Sequence, residues 1–131
     1  MSLVRRLSTW AASSTIAHVG FAFFAMGGWA VFANRFHPLP SALGAGLLQG
    51  ALSGAITLVL KKSLEWMNPR FGGVLALVAP PLITAATIFA VLVGAHTLAH
   101  TPEIGATIAV PFSVSSIYAA LYNWRLTRGR S

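Results

Sequence analysis

The chain has 131 residues, 56% of them hydrophobic and 8% charged, with a formal net charge of +7. A soluble domain carries roughly 25% charged residues, so this composition excludes one. There is no cysteine, which excludes a disulfide framework or a thiolate site.

The apolar residues fall in four blocks, about 11–33, 41–60, 72–95 and 104–122, none containing Asp, Glu, Lys or Arg. Each is about 20 residues long, the length an α-helix needs to cross roughly 30 Å of hydrocarbon. A membrane β-barrel would show alternating segments of about ten residues, and none is present. Of the nine Lys and Arg residues, all but Arg35 fall before block 1, between blocks 2 and 3, or after block 4. The positive-inside rule makes that side cytoplasmic. The chain therefore reads as one integral membrane domain over residues 1–131. The expected fold is all-α, four transmembrane helices forming two antiparallel αα-hairpins with both termini in the cytoplasm. Short loops and the lack of a targeting extension point to a bacterial inner membrane. The basic residues serve topology and anionic headgroups, so membrane lipids are expected partners and nucleic acid is not.

Helix 1 follows a basic start that resembles a signal peptide. It is too long for one and lacks a cleavage site, so it is expected to be retained. His18 is the one titratable side chain well inside a predicted span. Ionisable groups in membranes usually face the protein interior, so His18 is expected in a polar layer with Ser53, Pro80 and Ser115 or Ser116. Such a layer could relay a proton.

Pro38 and Pro40 force an extended turn before helix 2. Helix 2 places Ala42, Gly46, Gly50 and Gly54 at every fourth residue, on one face. Small residues let two backbones approach closely. That face reads either as a homo-oligomer interface or as packing against helix 1 or 4 of the same chain. Gln49, Ser53 and Thr57 form a polar stripe beside it. The following segment, Lys61 to Met67, is amphipathic and is expected to lie in the membrane interface.

Asn68-Pro69 reads as N-cap and first turn of helix 3, and Thr101-Pro102-Glu103 as the start of helix 4. Within helix 3, Pro80 and Pro81 free the carbonyls of Ala76 and Leu77. Within helix 4, Pro111 frees that of Thr107. Freed carbonyls in lipid must find a partner inside the protein, and broken helices near the midplane mark substrate sites in transporters. Trp10, Trp66 and Trp124 fit an inner aromatic belt, and Trp29 and Phe36 an outer one. A weak parallel repeat at an offset of 63 residues aligns Ala42, Gly46, Gly50 and Ser53 with Gly105, Ala109, Ser113 and Ser116.

The outer side gathers Asn34, Arg35, His37, His96, His100 and Glu103. His96 and His100 share a face if helix 3 reaches that far, and with His37 or Glu103 they supply three divalent-ion ligands. No complete ligand signature is present, so neither a metal nor another cofactor is expected. An anion held by Arg35 and the histidines fits better. Glu65 and Glu103, the two acids, fall on opposite sides of the membrane, which excludes paired-carboxylate catalysis. The expected function is non-enzymatic. It is a transport or translocation component for a lipid-like or small polar substrate, with His18, Gln49, Ser53, Pro80, Pro81, Pro111 and Ser116 along the path, working as a homo-oligomer. The rival is an accessory or assembly subunit packed against a larger membrane protein complex.

Overall fold

The computed structural model describes residues 2–130, apart from the side chains of residues 7–12, so Trp10 lies outside the described residues. Among the described residues there are four long helices and no strand: α1 (Leu3–Ala33), α2 (Leu39–Met67), α3 (Val74–Leu98) and α4 (Ile104–Gly129). All four are long and apolar enough to cross a membrane. Together they give the chain the pattern of a multi-pass membrane protein.

The helices outrun the apolar blocks, chiefly at the ends that carry the charges. Nothing after block 2 breaks a helix until Pro69, so α2 continues through Lys61 and Lys62 to Met67. The expected interfacial segment is instead the last two turns of α2. Its Leu60 and Leu64 are buried, in a cluster with Ile88, Leu92, Ile108 and Ala119. A single 3₁₀ turn, Asn68–Arg70, then leads toward α3. The cap of α3 is Gly73 at φ 59°, not Asn68. A left-handed φ of this kind suits glycine.

Packing is uneven. α1 lies along α2, α3 along α4, and α2 also touches α3 and α4. Among the described residues α1 touches α4 but does not pack on α3. The small-residue face of α2 is spent inside the chain, on α1. A methyl group at Gly46 would fall 2.4 Å from Val31 Cγ2 and 3.0 Å from the Gly27 carbonyl oxygen. One at Gly27 would fall 2.8 Å from the Gly46 oxygen, and one at Gly50 2.8 Å from the Phe23 oxygen. Ala42 and Gly54 are buried on the same face. Of the two readings of this stripe, the structure supports packing against helix 1.

Candidate functional site

Three places gather chemistry: a polar cluster at each end of the bundle and a groove on its side. At one end the α1–α2 and α3–α4 connections meet. Asn34 closes α1 and is fully buried. Its amide donates to the Ala30 carbonyl and to Thr107 Oγ1, both at 2.8 Å, and its oxygen accepts the Glu103 N–H at 2.9 Å. One side chain thereby ties the end of α1 to the start of α4. It also supplies Glu103 with the partner that Thr101 was expected to provide as a cap.

Thr101 is used otherwise. Its hydroxyl lies 2.7 Å from His96 Nδ1, and His96 Nε2 lies 2.8 Å from Gln49 Oε1. The Gln49 amide donates to Ser53 Oγ at 2.8 Å. His96 and Gln49 have no exposed surface. Both ring nitrogens and the amide are thus matched within one chain of bonds joining α2, α3 and the α3–α4 loop. A buried polar set that is fully paired fixes one arrangement of helices.

His100 does not join it. α3 ends at Leu98, and His100 adopts φ 58° just beyond. The Thr101 N–H donates to the His96 oxygen and the His100 N–H to the Thr97 oxygen, which is a Schellman closure. The i, i+4 spacing therefore fails to bring the two imidazoles together, because the backbone reverses hand at His100 itself. His37 Nε2 pairs with Glu103 Oε1 at 3.0 Å in an exposed position. Arg35 turns away onto the Phe32 ring, 3.9 Å from its centroid, and caps the Phe32 carbonyl. Among the described residues no three His, Cys, Asp or Glu side chains converge as metal ligands.

The opposite end answers the proline problem. Asn123 on α4 donates to the Ala76 oxygen at 2.7 Å and to the Leu77 oxygen at 3.2 Å. These are the carbonyls that Pro80 and Pro81 leave without a helical donor. Asn68 supports Asn123 at 2.9 Å and bonds Thr127 Oγ1 at 2.8 Å. Arg130 then clamps the Asn68 side chain and carbonyl at 2.9 and 2.8 Å, and the Phe71 oxygen at 3.1 Å. α3 is not broken as expected but runs continuously through Pro80 and Pro81, as α4 does through Pro111, and the carbonyls the α3 prolines free serve an end-of-bundle lock. The freed carbonyls lie in the first turn of α3, not at the midplane as the proline positions suggested. Asn68, Asn123 and Thr127 were missed as a group. The available signal was an asparagine on α4 level with the two freed carbonyls.

The expected interior layer does not assemble. His18 is exposed on α1, away from Gln49 and Ser53. Interior placement follows from the cost of an imidazole in lipid. The α1–α2 seam, however, is made by Val19, Phe23 and Gly27, which turns His18 outward. Pro80 and Pro111 are buried and Pro81 half-buried. The hydroxyls of Ser116 and Thr84 are buried without a hydrogen-bond partner.

The groove lies between α2 and α3 and encloses about 570 Å³, within the size range of ligand sites. Its walls are apolar, with Ile56, Leu60 and Met67 on one side and Ile83 and Ile88 on the other. Lys62 and Trp66 stand at its rim, and Thr84 lies in its wall. Arg70 stacks on Trp66 at 3.6 Å, just beyond the lining residues. Neither a family model, a curated protein nor a solved structure matches this chain.

Proposed function

We propose that the protein is a small, non-enzymatic transport or translocation component acting on a lipid-like substrate that enters sideways from the bilayer. It works in a bacterial inner membrane as two antiparallel αα-hairpins, with the Asn68/Arg130 end in the cytoplasm. The observation that carries this reading is the side groove. It is apolar and open to the surface, whereas the polar groups of the bundle interior at the His96 level are consumed by one another. A small polar solute has no unpaired group to meet along Gln49, Ser53 and His96. A lipid chain has a matching wall.

The orientation rests on charge. Lys61, Lys62, Arg70, Arg125, Arg128 and Arg130 belong to the Asn68 end, and Arg35 to the other. Contacts along the α1–α2 seam run from Gly54–Val19 through Gly50–Phe23 to Gly46–Gly27, opposite in chain direction. The chain has no native cysteine. Phe36→Cys and Gly72→Cys should therefore be labelled by an impermeant maleimide from opposite faces of intact vesicles, position 36 from the periplasmic side. Labelling of both from one face refutes the orientation.

For the function itself, purified protein reconstituted into vesicles should speed transbilayer movement of a fluorescent phospholipid. Ile83→Trp, at an exposed position of the groove wall, should block the groove and abolish the gain. No acceleration by the native protein overturns the proposal and leaves the accessory reading. That second reading is favoured by α1. Its Phe21, Phe24 and Phe32 are exposed beside outward-facing His18, and an imidazole in a membrane span ordinarily faces protein. A second copy of the chain or a larger membrane protein against α1 would cover it.

A further inference from the structure

We propose that the α2–α3 groove binds one ester-linked phospholipid with an anionic headgroup, drawn from the cytoplasmic leaflet. The inference rests on the function and orientation proposed above and names the substrate class. Three hydroxyl side chains line the groove: Ser63, Thr84 and Thr87. Ser63 donates to the Val59 oxygen and Thr87 to the Ile83 oxygen, each at 2.8 Å and four residues back. Both are satisfied within their own helices. Thr84 is the exception, 7% exposed with its Oγ1 unpartnered. A buried hydroxyl without a partner is costly, and in hydrocarbon no water is at hand to supply one.

Thr84 lines the groove, and a rotation about its χ1 turns the hydroxyl, buried in its present rotamer, toward an acceptor carried by whatever fills the groove. An acyl ester carbonyl is such an acceptor. A plain isoprenoid or alkyl chain has none below its headgroup. The headgroup sign follows from Lys62, which lines the groove, and from Arg70, which stacks over the lining residue Trp66. Among the described residues no carboxylate pairs with Lys62. A phosphate-bearing headgroup with net negative charge therefore meets uncompensated cations. The acyl chain lies against Ile56, Leu60, Ile83 and Ile88, and the ester carbonyl accepts from Thr84.

The test is native mass spectrometry of the full-length protein from mild detergent, after equilibration with defined lipid mixtures. Against an equal mixture of phosphatidylglycerol and phosphatidylcholine, the protein should retain one phosphatidylglycerol per chain in preference. Lys62→Gln should cut that preference roughly fivefold, the worth of one basic residue near an anionic headgroup. Ester-linked phosphatidylglycerol should be retained over its ether-linked analogue, a difference that Thr84→Val erases and Thr84→Ser keeps. Equal retention of ester and ether forms by the native protein overturns the proposal without needing any variant. So does an unchanged ester preference in a folded Thr84→Val protein. The assay involves no transport. Lipid held without transbilayer movement sinks the functional proposal alone. Movement without ester or charge preference sinks this inference alone.

Discussion

Gly50→Ile is expected to lower the stability of the bundle by about 3 kcal/mol or more, at the upper end of overpacking costs. The Cβ alone would lie 2.8 Å from the Phe23 carbonyl oxygen and 3.1 Å from two atoms of its ring. The ring can tilt. The carbonyl belongs to α1 and cannot move without carrying the helix with it. Separation of α1 from α2 should follow, because the same seam includes Gly27 against Gly46, where backbones also touch. Gly44→Ile is the matched control. It lies on the same helix with nothing within 4 Å of an added Cβ, and should change stability by less than about 0.5 kcal/mol. Thermal unfolding in mild detergent measures both. Equal midpoints for the two variants would remove the α1–α2 seam as an account of the glycine stripe.

Asn123→Leu should cost about 2–4 kcal/mol. It removes the donors to Ala76 and Leu77 and the acceptor for Asn68, and each buried group left unpaired costs about 1–3 kcal/mol. Bonds between helices in membranes are often weaker than this, about 0.6 kcal/mol on average, because the unfolded chain also finds partners. Here the acceptors are backbone carbonyls that proline has already stripped of their helical donors, and the Asn68 amide reaches the Ala76 oxygen at a long 3.4 Å. The argument makes a sharper prediction through a double-mutant cycle. In a Pro80→Ala, Pro81→Ala background, residues 80 and 81 regain the N–H groups that bond Ala76 and Leu77. The cost of Asn123→Leu should then fall by at least half. An identical cost in both backgrounds would falsify the idea that Asn123 compensates for the prolines.

Most of the architecture was legible in the residue order. Four uncharged runs of spanning length dictate four helices, since in hydrocarbon every backbone group must be paired and a lone helix does that by itself. Pro69 ends α2 for a reason visible in its ring, and the glycines at every fourth position of α2 announce a close contact before any partner is known. The freed carbonyls of Ala76 and Leu77 were likewise predictable, because a missing N–H is a property of proline wherever it stands.

Other features depend on which groups the fold brings face to face, and no local pattern contains that. His96 and His100 are four apart, but His100 itself takes the left-handed conformation that closes α3, so one is buried against Gln49 and the other is exposed. His18 sits at a depth that suggests the interior, yet the glycine seam of α1 lies on the other side of the helix and turns it outward. Asn68 looks like a cap and instead braces Asn123, a residue 55 positions away. Thr84 has the same composition and helical setting as Thr87. It is left unpaired because its hydroxyl, unlike that of Thr87, is buried without bonding the turn behind it. Residue order determined the helices, their polarity pattern and the carbonyls that proline frees, since those follow from backbone pairing and solvent. Tertiary packing alone decided which polar atoms were satisfied, since a hydrogen bond between helices depends on rotation about each axis, set jointly by all the neighbours.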